Sequence, residues 1–457
     1  MFKKILIANR GEIAVRIIRA CNEMGILTVA IYAKGEEQQL HVQLADEAVC
    51  IGPLRLKDTY LSKTAILSAA IATGAEAIHP GVGFLSENSE FAERCIELGI
   101  TFIGPSAKVM EKMGNKSEAK KMAQKAKVPV VYGSPDALRS VDEARKLAKK
   151  VGYPLLIKAV SGGGGKGMRL VQKEEELETA YKAARFEAKT SFGDDSVYME
   201  KFIVNPKHIE VQILADKYGN VVHLGERDCS IQRNSQKMIE EAPSIFLNGK
   251  LRRSMGEAAI RLAKHVNYVG LGTVEFLVDY QGQFYFMEMN TRLQVEHTIT
   301  EEITGIDLVK EQIAIAYGKK LHIKQKDVTF NGHAIECRIN AENPYNNFTP
   351  SPGDVTSVIF AGGNGIRIDS AIFQGARVLP TFDSLIAKII VHGATRDEAI
   401  ARMKRALEET VISPIETNID FHYEIINHQM FHEGRIDTSF INQYFSEVLN
   451  KDAKING

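Results

Sequence analysis

The sequence has no tryptophan and only 7% aromatic residues, so it lacks the interleaved platforms on which single-strand nucleic-acid binders stack successive bases. Nor has it charge of one sign to spare. The 57 Lys and Arg balance the 57 Asp and Glu, which removes the cation excess that displaces phosphate counterions. No nucleic-acid partner is expected. No apolar run approaches the ~18 residues of a membrane span, so no membrane association is expected either. The amino terminus, Met1-Phe2-Lys3-Lys4-Ile5-Leu6-Ile7-Ala8-Asn9-Arg10, turns polar after a few apolar positions, unlike a signal peptide, and a cytoplasmic protein is expected. The five cysteines (Cys21, Cys50, Cys95, Cys229, Cys337) are odd in number, scattered and without a C-x-x-C pair. That pattern argues against a disulfide framework and against a zinc site, and each is expected as a buried thiol.

What is present is the composition of a soluble globular enzyme, 44% hydrophobic and 25% charged. Its 457 residues, at roughly 150 per domain, suggest about three domains. Short apolar runs alternate with helical periodicity from the start: Ile5 to Ala8, then Glu12 to Met24, then Leu27 to Ile31, the opening of a parallel α/β layer. The first turn, Asn9-Arg10-Gly11-Glu12, has one glycine where a dinucleotide fold needs G-x-G-x-x-G, so dinucleotide binding is not expected there. Loop and glycine signals place domains at residues 1–115, 116–330 and 331–446, with a polar tail at 447–457.

Ser161-Gly162-Gly163-Gly164-Gly165-Lys166-Gly167 is the strongest local signal, flanked by strand-like Pro154 to Lys158 and Met168 to Val171. A strand rather than a helix follows, which excludes the dinucleotide fingerprint, and Met168 stands where a Walker A loop requires lysine. What remains is a hairpin whose free amides and Lys166 could close over phosphates, with Lys158 on the preceding strand. The alternative is a merely mobile turn, but four consecutive glycines carry an ordering cost that a functionless turn has little reason to bear.

Gly272 to Tyr280 and Gln283 to Asn290 both read as strands, and Gln281-Gly282 suits a two-residue hairpin loop. Position i then pairs with 563 − i, and Glu275 faces Glu288. Like charges opposite each other in apolar surroundings are destabilising unless a cation sits between them, and two carboxylates are the usual protein share of a phosphate-bound Mg²⁺. Beyond Glu288, the polar residues Asn290, Arg292, Gln294 and Glu296 recur with a period of two, which in an extended chain lines one groove. The plainer reading is the exposed face of an edge strand.

Glu288-Met289-Asn290-Thr291-Arg292-Leu293-Gln294-Val295-Glu296-His297 resembles the E-M-N-x-R-x-Q-V-E-H segment of the biotin carboxylase family, members of the ATP-grasp superfamily. Ile7 to Ala14, His79-Pro80-Gly81 through Glu87-Asn88, the glycine loop, Glu226 to Ser230 and Glu336 to Glu342 resemble it too, in order along nearly the whole chain. The resemblance implies an α/β (α+β) protein: an ATP-grasp fold between an N-terminal parallel α/β domain and a C-terminal mixed α/β domain, with a glycine-rich lid at about 131–203. It implies ATP contacts at Lys116, Lys158, Gly163, Gly164, Gly165, Lys166, Met168, Glu200, Lys201, Ile203, His208, Gln232, Glu275, Leu277 and Glu288. It further implies Mg²⁺ or Mn²⁺ at Glu275, Glu288 and Asn290, and bicarbonate at Lys237, Arg292, Gln294 and Val295. Glu296 is implied as the general base and Arg338 as the residue that holds biotin and stabilises its enolate, with Arg292 and Lys237 completing the catalytic set.

The implied reaction is ATP- and bicarbonate-dependent carboxylation of biotin through carboxyphosphate. It is the first half-reaction of acetyl-CoA carboxylase in fatty acid synthesis, or of a pyruvate or other acyl-CoA carboxylase. No A-M-K-M-type tetrapeptide occurs, so biotin is expected on a separate carboxyl carrier protein, with carboxyltransferase on further subunits and a homodimer implied. Departures from the family pattern are Val82 for Tyr, Asn234-Ser235 for Arg-His, Thr298-Ile299 for Pro-Val, and Thr381-Phe382 in a P-Y-Y-D-S stretch. Another ATP-grasp ligase and a non-enzymatic ATP-binding partner are the competing readings. The context of Arg338 weighs against the first, and the intact acid-base and metal set against the second. Arg10 and Arg16 receive no catalytic role.

Overall fold

The computed structural model describes residues 1–134, 136–160 and 167–449. It opens with β1 (Lys4–Ile7), α1 (Gly11–Glu23) and β2 (Leu27–Ala33), followed by β3 (Glu47–Gly52), β4 (Ala77–His79) and β5 (Thr101–Phe102). These five strands form a parallel sheet in the order β3-β2-β1-β4-β5, and α1 turns its apolar stripe of Ile13, Ile17 and Ile18 inward. The strand order is that of a doubly wound fold, but its first turn carries the side chain of Asn9. The Asn9 amide nitrogen donates to the carbonyls of Pro80 at 2.8 Å and Val82 at 2.7 Å, a side chain at a turn where a dinucleotide fold has glycine.

A smaller antiparallel sheet, ordered β7-β6-β8, is made from β6 (Leu155–Ala159), β7 (Met168–Val171) and β8 (Val197–Lys201). Helices α3 (Val141–Val151) and α4 (Leu177–Phe192) cover it, with α2 (Lys116–Lys125) lying before them in the chain. Ala144, Ala148, Leu155, Ile157 and Ala184 are its core. The chain passes so close to β8 at Gly133 that a Cβ there would lie 2.1 Å from the Met199 carbonyl oxygen. Residues 161–166, with the implied phosphate contacts Gly163, Gly164, Gly165 and Lys166, lie outside the described residues.

The largest layer is an eight-stranded sheet. It uses β9 (Lys207–Ala215), β10 (Val221–Arg233), β11 (Gln236–Ala242), β12 (Gly270–Val278), β13 (Phe284–Asn290), β14 (His333–Asn340), β15 (Ile366–Ser370) and β16 (Leu385–Gly393), in the order β13-β12-β9-β10-β11-β14-β16-β15. Strand β9 is buried along its whole length: on one face α5 (Gly249–His265) packs Met255, Ala259 and Leu262 against Ile209, Val211 and Ile213, and on the other His208, Glu210 and Gln212 bond Glu275 and Arg227. Each such aliphatic side chain contributes about 1.5–3 kcal/mol on burial. The long strands after residue 331 join this sheet, while short ones pair among themselves as two-stranded ribbons. The antiparallel ladder continues from β11 to β14 through Ile239 opposite Cys337, and on to β16. Helices α6 (His297–Thr304) and α7 (Leu308–Ala316) link this sheet to the first one, and α8 (Arg396–Glu409) packs on its far end.

Two expectations change. Four cysteines are buried, but Cys50, on edge strand β3, is exposed. The β12–β13 loop has three residues, Tyr280 to Gly282, because the Asp279 amide donates to the Gln283 carbonyl, and Gly282 takes φ +76°. Leu277 accordingly pairs with Tyr285 and Phe276 with Phe286. A bulge at Met287 then restores the offset, so that Glu275 pairs with Glu288 and Thr273 with Asn290. The facing carboxylates stand as expected, reached by a different turn.

Candidate active site

One cavity of about 870 Å³ lies where the three sheets meet, large enough for a nucleotide and a small second substrate. Of the residues singled out from the sequence, Lys116, Lys158, Met168, Glu200, His208, Gln232, Lys237, Glu275, Leu277, Glu288, Asn290, Arg292, Gln294, Val295, Glu296 and Arg338 all line it. Lys201 and Ile203 do not: the Lys201 ammonium points instead at the carbonyls of Gly152 and Tyr153, at 3.2 and 2.9 Å. Arg10, given no catalytic role from the sequence, also lines the cavity, as do Asn9, Glu12 and Lys120, for which no site role was expected. Only the meeting of distant segments reveals them. Arg10 pairs with Glu36 at 2.6 Å and lies 4.2 Å over the Phe382 ring, one of the departures from the family pattern.

At the lid side, Glu200 sits between Lys120 and Lys158, both at 2.9 Å. Burial pushes its carboxyl up, but the two ammonium groups outweigh burial and hold it below the ordinary range. Lys116, at the start of α2, has its proton affinity lowered by burial and by nearby Lys158, against the pull of Glu288.

The facing carboxylates are unlike each other. Glu275 accepts from Asn290 at 2.7 Å, Gln294 at 3.1 Å and Lys237 at 3.0 Å, and pairs with His208 at 2.7 Å. Burial opposes its ionisation, yet Lys237 and His208 keep it well below the usual carboxylate range. Glu288 has no hydrogen-bond or ion-pair partner among the described residues, and burial together with the Glu275 charge pushes it up. An unpaired, half-buried carboxylate beside an ionised one, with an amide oxygen at Asn290, is a hard-oxygen set that fits Mg²⁺ or Mn²⁺. Glu210 lies close enough to His208 and Glu275 to form a second ligand cluster, but Arg227 and Lys237, both at 2.5 Å, already neutralise it.

The period-two face does not continue as a strand. Strand β13 ends at Asn290, and residues 291–296 run as a loop and turn into α6, with Glu296 at the N-cap. The polar side chains still reach one place. Arg292 donates to Gln294 at 2.6 Å and to Asn290 at 3.1 Å, and Glu87 from the first sheet's region fixes it at 3.0 Å. Both oxygens of Glu296 are held by cations, Oε1 by Lys237 at 2.6 Å and Oε2 by Arg338 at 2.9 Å. Burial raises this carboxyl, but Lys237, Arg338 and Arg227 overcome it and keep it well below the ordinary range. Arg338 is oriented from behind by Glu240, which accepts from its Nε at 2.7 Å.

Beneath the cavity Arg227 is fully buried. It donates to Glu210 at 2.5 Å, Gln212 at 2.7 Å, Thr300 at 2.9 Å and Thr273 at 3.1 Å, tying β10 to β9, β12 and α6. The departures have local reasons. Asn234 and Ser235 form the tight turn between β10 and β11 with φ of +49° and +63°, a conformation that asparagine tolerates well. The Thr298 hydroxyl donates to buried Glu336, and Val82 lines the cavity.

Three family models match in order: "Biotin carboxylase, N-terminal domain" over residues 1–110, "Carbamoyl-phosphate synthase L chain, ATP binding domain" over 115–324, and "Biotin carboxylase C-terminal domain" over 336–443. Biotin carboxylase 1 of Bacillus subtilis (strain 168) is 56% identical over 445 residues, 97% of this chain and 99% of its own. The biotin carboxylase domain dimer of Hydrogenobacter thermophilus 2-oxoglutarate carboxylase, in complex with MgADP, ADP and bicarbonate, has a TM-score of 0.93 at 50% identity, covering 98% of this chain and 99% of its own. The biotin carboxylase-β,γ-ATP complex from Campylobacter jejuni has a TM-score of 0.94 at 48% identity, covering 97% and 99%. The three family regions follow one another along the chain and identity holds at about half across nearly all of it, over a cavity that gathers carboxylates, lysines and arginines: this chain belongs to the biotin carboxylase family.

Proposed function

We propose that this protein carboxylates biotin, using ATP and bicarbonate, on a separate carrier protein. The observation that carries the reading is the position of Glu296, ionised and gripped on either side by Lys237 and Arg338, in the same cavity as the Glu275–Glu288 pair.

Lys116, Lys158 and His208 lie where they can bind the phosphates of ATP, and Met168 and Leu277 supply apolar wall. A divalent cation at Glu275, Glu288 and Asn290 would neutralise triphosphate charge. Arg292, Lys237, Gln294 and Val295 hold bicarbonate. Glu296 takes its proton, and the resulting oxyanion attacks the γ-phosphorus, breaking its bond to the bridging oxygen so that ADP leaves and carboxyphosphate forms. The cations that depress Glu296 are those the substrates call on. As Lys237 turns to bicarbonate and Arg338 to the ureido oxygen, Glu296 recovers proton affinity at the moment it must accept a proton. Carboxyphosphate releases CO₂ and phosphate, the phosphate takes the ureido N–H proton, and Arg338 balances the charge left on the ureido oxygen, so that the nitrogen attacks CO₂.

The final acceptor is read as acetyl-CoA, with carboxyltransferase on other subunits. Relatives at 50% and 51% identity are one subunit of the pyruvate carboxylase of Methanothermobacter thermautotrophicus and the small subunit of the 2-oxoglutarate carboxylase of Hydrogenobacter thermophilus, which makes a keto acid the second reading. The divisions at 115, 330 and 446, a homodimer and a cytoplasmic site of action belong to the same proposal. Among the described residues no helix is long and apolar enough to cross a membrane. The test is bicarbonate-dependent ATP cleavage with and without free biotin. Biotin should stimulate it, and Glu296→Gln should abolish turnover while ATP binding stays nearly intact. Wild-type turnover in Glu296→Gln would sink the assignment of the base.

A further inference from the structure

Lys388 belongs to none of the roles above, and it is among the most deeply buried large side chains in the protein. It lies on β16 directly opposite Arg338 of β14 on one side and Asp369 of β15 on the other. Residues directly opposite in a ladder share a face of the sheet, so Arg338 and Lys388 point to the same side, toward the turn that carries Glu296. Arg338 reaches the carboxylate of Glu296; the Lys388 ammonium donates to the carbonyl of Val295, one residue earlier, at 2.7 Å. The His297 ring adds a second contact. Its Nδ1 lies 2.8 Å from the Gln294 carbonyl and can only donate there, leaving Nε2 of a fully buried ring 3.9 Å from Glu301 and without a hydrogen-bond partner among the described residues. Two consecutive carbonyls before the base are therefore clamped from inside the protein.

The position of the ammonium is itself fixed. Glu12, at the start of α1, approaches it at 3.4 Å and Asp369 at 4.0 Å, while Asp369 is held by Arg367 at 2.9 Å. A buried cation unpaired with anions is not tolerated, so Glu12 and Asp369 set where Lys388 can sit. A chain of contacts thus runs from the first sheet's helix, through β16, to the backbone of the catalytic turn.

We infer that Lys388 is a positioning residue for the reaction: anchored by Glu12 and Asp369, it holds the Val295 carbonyl and thereby sets the bicarbonate pocket and the Glu296 carboxylate relative to ATP. The inference rests on Glu296 as the base. A displacement of about 1 Å at a reacting group costs on the order of 10²-fold in rate. Lys388→Met should therefore lower kcat by about 10²-fold and raise the bicarbonate KM several-fold, while ATP affinity stays within about twofold. Because the single change leaves Glu12 facing an apolar group, Glu12→Gln/Lys388→Met is made beside it to restore charge balance and folding.

Amide hydrogen exchange on the full-length chain gives a readout independent of chemistry. Peptides spanning 290–299 should lose protection in both variants and those spanning 207–215 should not. A folded double variant with wild-type kcat, bicarbonate KM and exchange over 290–299 overturns the inference, as does ATP affinity that falls in parallel with kcat. If the wild-type protein shows no bicarbonate-dependent ATP cleavage, the proposed function fails instead, and the exchange result still decides the role of Lys388.

Discussion

Replacing Arg227 by methionine should cost more stability than any other single change near the cavity. The guanidinium makes four hydrogen bonds, to Glu210, Gln212, Thr300 and Thr273, and none of its surface reaches solvent. Removing one partner of a buried ion pair costs about 3–5 kcal/mol, because the remaining charge is stranded. Glu210 keeps Lys237 at 2.5 Å, which places the loss toward the lower end, but three neutral acceptors also lose their donor. At about 2–4 °C per kcal/mol for a unit of 150–250 residues, the apparent Tm should fall by roughly 10 °C. The assay is a double-mutant cycle by thermal scanning at fixed rate, with Glu210→Gln as the second change. Arg227→Met/Glu210→Gln should recover at least half of the loss, since neither charge is then left alone. A fall of less than about 3 °C in Arg227→Met, or a double variant as unstable as the sum of the singles, would refute the reasoning.

Two further outcomes follow from the same electrostatics. Glu288→Gln relieves the like-charge contact with Glu275, so without divalent cation the variant should be no less stable than wild type; the Mg²⁺ concentration that half-saturates ATP cleavage should rise at least about tenfold, and an unchanged metal titration would remove Glu288 from the ligand set. Burial raises Glu12 from 4.5 to about 7, with Asp369 and Glu336 adding to it against Lys388, and burial raises Glu240 to about 8 against Arg338. Folded protein then holds protons that the unfolded chain releases above about 4.5, so their stabilising contribution is complete below that pH and is lost as pH rises through about 7 and 8. Buried His41, His79, His297 and His422, held neutral by burial, act in the opposite sense over the same interval, so the readout is a difference: wild-type Tm minus that of Glu12→Gln should fall from pH 5 to pH 8, and a difference that rises over that interval would contradict the burial argument.

Much of the site was legible because it is local in sequence. Glu275 and Glu288 belong to one hairpin, where a charge conflict points to them, and Asn290 to Glu296 follow close in sequence, though as loop and turn rather than the extended strand expected. The hairpin also shows why such readings succeed for incomplete reasons. The expected two-residue loop is a three-residue loop, and the bulge at Met287 cancels the difference, since apolar Phe286 and Met287 give no sign of which is the extra residue. Nothing local marks Lys388, Glu240, Glu12 or Lys120, because each meets the site through pairings 80 to 98 residues away or across sheets. Nor did the domain signals at residue 331 reveal that β14 would extend the sheet of β11, since a ladder is closed by backbone groups that every residue carries.

The single eight-stranded sheet has a mechanical consequence. Strand β12 carries Glu275 and β13 carries Glu288 and Asn290, while β14 carries Arg338 and β16 carries Lys388, so the proposed metal end and the proposed biotin end are fixed to one stiff plate. Among the described residues the smaller β7-β6-β8 sheet shares no ladder with that plate. Closing it over a nucleotide would change what Lys158 and Met168 touch and would leave the distance between phosphoryl transfer and carboxyl transfer untouched. A short-lived intermediate made at one end would then travel a span set by backbone hydrogen bonds rather than by the timing of a moving part.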